Sequence, residues 1–308
     1  MHLLYTEAFS QMIERAHQRM LDDMRQGGSH MAQQAKHWMQ QLAGSDHAAD
    51  YFKHPLAFPM LLLPWWMEQT IRPDPNISFQ TDLIYSSING YYFIRMIDNV
   101  MDDHDTIEKK LLPMLGFFHM QFHGVYHTYF DAKHPFWMQF RAISIQSAES
   151  ALQDAAMIDI DPDGFRAIAG KKVAGGKIPL AAVAHRYASP QLYDRWQLFF
   201  DKLGCWHQMY NDLFGWLRDL RHQTPTYFLC EGQRRKSSKH SVAAWVIHEG
   251  FTWGTSLLTA WLDELFTLAK DLHSDELTRY LRYRQTLTQA QIPRFAGTMA
   301  SLARLLDA

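Results

Sequence analysis

Residues 91–105 read YYFIRMIDNVMDDHD, an aromatic stretch that runs straight into acids and an amide. On a helix turning about 100° per residue, Asp98, Asp102 and Asp105 fall within about 60° of one another. Tyr91 and Ile94 continue the same face toward the N-terminus. Stacked carboxylates repel unless a divalent cation or a cationic partner lies between them. The plainer reading is a solvated helix end before a loop. A second constellation reads NDLFGWLRD, residues 211–219. Asn211, Gly215 and Asp219 stand at i, i+4 and i+8, a drifting stripe that meets His207, Gly204 and Phe200 in the turns before it. Amide and carboxylate oxygens bind hard cations, and glycine leaves room for a metal-bound water. Asn and Gly are poor helix formers, so their place among Trp, Leu and Phe needs a local reason; a tight helix crossing at Gly215 is the alternative. If the two acidic ends face one another, they form an oxygen-rich mouth over an aromatic pocket. Mg²⁺ held that way bridges to phosphate oxygens, which implies Mg²⁺-assisted reaction of a phosphorylated apolar substrate.

The elements that must position these residues read as helices throughout. Residues 5–43 predict one or two helices, followed by a connection over 46–55 and a helix over 65–71. The RPDPNIS stretch, 72–78, is a break. A long helix over 81–104 carries the first acidic group, and Pro113 opens another to about Phe130. Helices follow over 136–156 and 165–173, with a DIDPDG turn between them. Gly175, Gly176 and Pro179 interrupt the chain before a helix over 180–187. Ser189 and Pro190 read as cap and first residue of a helix to about Arg221 that carries the second group. The polar, basic stretch 231–240 reads as a surface loop, and 241–272 and 275–308 as further helices. No period-2 run, repeat or linker is evident, so the expected architecture is all-α and a single domain over 1–308.

Composition narrows the classes. The chain has 308 residues, 47% of them hydrophobic and 20% charged, which suits a globular protein with a large core. A net charge of −2 gives no electrostatic reason for nucleic acid or an anionic membrane. The most apolar run, residues 57–67, is too short to span a bilayer. Two cysteines, Cys205 and Cys230, make no disulfide framework, and the N-terminus lacks signal-peptide order. The expectation is a cytoplasmic protein without stable membrane insertion.

These residues together resemble the class I terpene synthase superfamily, whose fold is an all-α barrel around a central apolar cavity. Asp98-Asn99-Val100-Met101-Asp102 is similar to its aspartate-rich motif, with Asn99 in second place, and equally to the DxxxD form of squalene and phytoene synthases. Asn211, Gly215 and Asp219 resemble its second, NDxxSxxxE-type motif, with Gly for Ser and Asp for Glu. Arg166 stands where the family has a diphosphate-sensing arginine. Gly170 matches the helix-break effector position, although Ala169 replaces a more usual polar linker. Arg218 matches a basic residue that contacts diphosphate. For the C-terminal Arg-Tyr pair, Arg282-Tyr283 is preferred to Arg279-Tyr280.

What the resemblance implies is a helical barrel whose N-terminal segment, 1–45, covers the cavity. It implies three Mg²⁺ ions, with Mn²⁺ as a substitute, held by Asp98, Asn99, Asp102, Asn211, Gly215 and Asp219. The substrate is a prenyl diphosphate, farnesyl or geranylgeranyl, ionised and cyclised, and the protein is a monomer or homodimer. Tyr91, Ile94, Phe200, Gly204 and His207 are the candidates to line the cavity, with Trp65, Trp137 and Trp206; ordinary core packing is the favoured reading of the rings, and a satisfied core histidine that of His207. Lys171 and Lys172 read as solvated lysines. A squalene- or phytoene-synthase-like condensing enzyme is the alternative. A different class rests on His119, His123 and His127, at i, i+4 and i+8, with the His104-Asp105 pair: imidazoles suit Zn, Fe or Ni in an all-α phosphohydrolase. A non-catalytic helical protein is the remaining reading.

Overall fold

A computed structural model describes residues 4–101 and 106–306. All regular structure among the described residues is helical, with no strand. No helix among them is long and apolar enough to cross a membrane. In chain order the helices are α1 (Glu7–Gly27), α2 (Ser29–Ala43), α3 (Leu62–Ile71), α4 (Ile77–Met101), α5 (Thr106–Leu111), α6 (Leu115–Gly124) and α7 (Phe136–Ala156). There follow α8 (Pro162–Lys172), α9 (Lys177–Arg186), α10 (Pro190–Arg221), α11 (Tyr227–Arg235), α12 (Val242–Trp245), α13 (Phe251–Asp271) and α14 (Asp275–Leu306). The backbone divides into two compact units, one of residues Met1–Ala142 and Ile178–Tyr193, the other of Ile143–Lys177 and Asp194–Ala308.

In the first unit α4 packs against α1 and α6. It starts four residues earlier than its apolar pattern suggests, at Ile77. The reason is a cap: the Phe79 N–H donates to Asn76 Oδ1 at 2.9 Å. Phe79, Leu83, Tyr85, Ile88, Tyr92 and Met96 make the buried side of the helix. Gly90 brings α6 close, since a Cβ there would lie 2.8 Å from the Phe122 ring. Ser86 Oγ then reaches the Phe122 carbonyl at 2.8 Å. Glu68 is fully buried and accepts from the Asn76 N–H (2.7 Å), Gln80 Nε2 (2.6 Å) and the Tyr187 hydroxyl (2.5 Å). One carboxylate thus ties α3, the start of α4 and the end of α9. The stretch expected as one helix over 113–130 is instead α6 between two 3₁₀ turns, Leu112–Met114 and Val125–Thr128.

In the second unit Asp161 caps α8 through the Gly164 N–H at 2.6 Å, with Pro162 as the first helical residue. The helix stops after Lys172, passes through a 3₁₀ turn at Ala174–Gly176 and resumes as α9. The 32-residue α10 is held to α13 by Trp206 Nε1 on the Leu258 carbonyl at 3.0 Å. Arg284 of α14 lies over the Trp206 and Tyr210 rings, 4.9 and 5.3 Å from their centroids. One expectation is corrected: Glu231 to Arg235 is not loop but the last turn of α11. The buried Glu231 carboxylate accepts from Arg234 Nε (2.9 Å) and Arg235 Nε (2.7 Å), which organises the basic residues into a helix end.

Candidate functional site

The second acidic group is the better defined. It lies in the last three turns of α10, where the helix period puts residues 208, 212, 215 and 219 on one side. Asn211 is exposed, whereas Asp212 is 2% exposed and Asp219 is 7% exposed. Arg218 donates to Asp219 Oδ1 from both Nε (3.0 Å) and Nη2 (2.9 Å). The space over Gly215 is where this pair sits: a Cβ on Gly215 would lie 3.2 Å from Arg218 Nη2 and 3.4 Å from Asp219 Oδ2. Asp212 accepts from Gln208 Nε2 at 2.7 Å. Burial pushes the Asp212 carboxyl up to about 7, and the negative charge of Asp219 adds to the rise. Two carboxylates therefore share one buried strip, and one of them is poised to hold a proton near neutrality.

Earlier on the same helix, at Asp201 and Gly204, α10 meets the interrupted helix. Gly170 packs on α10 so closely that a Cβ would lie 2.9 Å from the Asp201 carbonyl oxygen, and one on Gly204 would lie 3.1 Å from Gly170 Cα. The two glycines are thus the crossing of α8 and α10. Directly after the break, Lys177 is 1% exposed and pairs with Asp201 Oδ1 at 2.5 Å. Burial raises the Asp201 carboxyl above the usual range, against the pull of the ammonium. The Lys177 ammonium lies 6.0 Å from the centre of the Phe200 ring. Lys172 is not a solvated lysine but pairs with Asp154 at 2.5 Å. Arg166 is exposed and reaches Asp163 at 3.5 Å, one turn back.

The other expected residues fall as follows. His207 is held neutral, its imidazole lowered to about 3 by burial and by the Arg284 charge. Phe200 and Trp206 are buried core. On α14 Arg282 is exposed and Tyr283 half-buried, while Tyr280 and Arg284 are buried. In the first unit Tyr91 is packed among Tyr51, Phe52 and Tyr92 and hydrogen-bonds the Tyr51 hydroxyl. Trp65 packs edge-on against Phe9, and Trp137 donates to the Asp131 carbonyl at 2.8 Å. Ile94 is 39% exposed. Asp98 is half-exposed with Arg95 Nη1 at 3.5 Å, and Asn99 is 6% exposed. Asp102, His104 and Asp105 lie outside the described residues.

Asp212, Lys177 and Arg284 are the groups that sequence reasoning passed over. Asp212 stands seven residues before Asp219, the spacing already used to join Asp98 to Asp105, so its signal was present. Lys177 was visible only as part of the Gly-Gly break. His119, His123 and His127 form a ring ladder: the first two stack at 6.3 Å, the next two meet edge-on at 4.9 Å, and His127 stacks on Trp137 at 4.3 Å. Among the described residues no three His, Cys, Asp or Glu side chains gather in a group that could hold a metal. The oxygen donors present, carboxylate and amide, suit a hard cation in kind, and the repulsion between Asp212 and Asp219 is what a cation relieves. Comparison with known proteins finds no matching family model and no matching curated sequence.

Proposed function

We propose that this chain is a Mg²⁺-dependent class I terpene synthase, an all-α barrel that ionises an allylic prenyl diphosphate and cyclises the carbocation. The observation that carries the reading is the crossing at Gly170 and Gly204, where a helix that breaks at 173–176 meets the helix bearing Asn211, Gly215 and Asp219. A helix break on a neighbour of the helix that carries the second motif is what the resemblance leads one to expect. The same unit holds the buried Lys177, Arg166, Arg218 and the carboxylates of Asp212 and Asp219.

In this reading the first motif, Asp98 and Asp102, and the second, Asn211 and Asp219, would each hold Mg²⁺. Mg²⁺ bound there would supply positive charge to a diphosphate leaving group. Arg218 exchanges Asp219 for a diphosphate oxygen, its 72% exposed side chain leaving it free to swing. Arg166 adds a second guanidinium to the same leaving group. Aromatic faces stabilise cationic carbons, and His207, neutral down to about pH 3, brings no competing positive charge.

A condensing reaction of the squalene- or phytoene-synthase kind is the second reading. What favours it is the burial of Asn99 beside a half-exposed Asp98, which makes the first motif read as DxxxD rather than DDxxD. One experiment separates the two. Purified protein is incubated with Mg²⁺ and geranyl, farnesyl or geranylgeranyl diphosphate singly, and released diphosphate and hydrocarbon are analysed. A cyclic product from one substrate, lost in Asp98→Ala and Asn211→Ala, supports the cyclase. A product of doubled carbon number moves the assignment to condensation. No turnover, with phosphatase activity under Mn²⁺ or Fe²⁺, overturns both.

A further inference from the structure

Large apolar side chains on α7 stand out in the solvent: Met138 is 76% exposed, Ile145 58% and Leu152 62%. The opposite side of the helix is occupied in the ordinary way, with Phe136, Phe140, Ile143 and Ser150 buried. The exposed three are spaced by seven, so they form one straight seam. At about 100° per residue, Arg141, Ala142, Ala148 and Glu149 fall within about 60° of Ile145 on the same face. All four are exposed.

The order of these residues is self-complementary about Ile145: apolar opposite apolar, small opposite small and Arg opposite Glu. Met138 and Leu152 lie seven residues to either side, Arg141 and Glu149 four, and Ala142 and Ala148 three. A second α7 laid antiparallel across the first, with the two-fold axis at Ile145, therefore meets itself correctly everywhere. Ile145 packs on its own copy and Met138 on the partner's Leu152. Each Arg141 faces a Glu149 across the seam, and alanines on both sides of the axis let the backbones approach. An isologous contact requires a patch that is its own complement, and charge complementarity within one helix face is the feature that selects a second copy over an unrelated partner. We propose that α7 is the dimer interface of this protein, an antiparallel pair of α7 helices centred on Ile145.

Sedimentation of the full chain over a concentration series tests this. The wild type should pass from monomer to dimer, and Ile145→Arg should remain monomeric with an unchanged circular dichroism spectrum and melting temperature, because the side chain is exposed. Arg141→Glu and Glu149→Arg should each raise the dimer Kd by on the order of tenfold. The double variant Arg141→Glu/Glu149→Arg should restore it, which a merely hydrophobic stickiness would not do. Ile145→Cys should give a covalent dimer on mild oxidation, whereas the wild type, whose Cys205 and Cys230 are both buried, should not. A wild type that is monomeric at every concentration, or a dimer that survives Ile145→Arg, overturns the proposal.

Discussion

Arg218 closes over its own neighbour: Nε and Nη2 both donate to Asp219 Oδ1, at 3.0 and 2.9 Å, over the gap left by Gly215. The guanidinium is largely solvated and the carboxylate is not, being 72% and 9% exposed at the side chain. An exposed arm holding a buried carboxylate adds little to stability, since the arm is screened and pays rotamer entropy. Arg218→Gln is therefore expected to leave the melting temperature nearly unchanged. On the proposed function it should lower kcat for diphosphate release by on the order of 10²-fold, the usual scale for losing one donor to a developing negative charge. Asp219→Asn should instead shift the Mg²⁺ concentration needed for half-maximal release upward. The two measurements together separate a diphosphate contact from a metal ligand.

The crossing of α8 and α10 admits no side chain. Gly170→Ala would place a Cβ 2.9 Å from a backbone carbonyl oxygen and 3.1 Å from a backbone Cα, neither of which rotates away. Overpacking of this kind costs about 1–3 kcal/mol, read as a lowered midpoint in urea. Gly204→Ala faces Gly170 from the other side and should cost a similar amount. Because the two act at one contact, the double variant should lose less than the sum.

Asp212 sets a pH dependence whose sign is opposite to that of the buried histidines. Its folded pKa, about 7, lies above the ordinary carboxylate value because of burial and then Asp219. Between the ordinary value and about pH 7 the folded state holds a proton that the unfolded chain has lost. Stability from this group consequently falls as pH rises through that window. His207, lowered to about 3, and His17, lowered to about 4, both chiefly by burial, act the other way. Their contribution is full above the unfolded histidine value of 6.5 and is lost as pH falls. Asp212→Asn should raise the melting temperature at pH 8 and steepen the loss on acidification, because the slope that opposes the histidines is removed. A melting series from pH 4 to 8 on both proteins checks this; parallel curves would refute it.

Glu68 tests the first unit. Its carboxylate is the common acceptor for Asn76, Gln80 and Tyr187. Glu68→Leu removes three hydrogen bonds and leaves the buried Gln80 amide without its carboxylate acceptor, at a cost of about 3 kcal/mol. Tyr187→Phe removes one bond and should cost about 1 kcal/mol. Urea denaturation of each gives both numbers.

Much of the helical layout was legible in the chain. The Gly-Gly-Lys-Ile-Pro interruption marked the end of α8, because glycine and proline weaken a helix wherever they fall. Boundaries were less legible where a side chain intervened. Asn76 was read as part of a break, yet its oxygen caps α4 and moves the start back to Ile77. Glu231 was read as loop, yet its burial beneath two arginines extends α11. Both are cases in which one polar side chain, not the apolar period, decides where the backbone turns.

That this protein is helical, where its main interruptions fall and which residues share a helix stripe all follow from local backbone sterics and a period of 3.6 residues. Asn211, Gly215 and Asp219 fall on one drifting stripe by that period alone. Only the tertiary structure decided which way each stripe faces. Asp212 is buried while Asn211 is exposed, and Arg284 is buried while Arg282 is exposed. Residues one or two places apart on a helix differ by about 100–200° in direction. Which direction becomes interior is set by helices distant in the chain, as Asp201 and Gly170 show by meeting across a gap that no side chain enters.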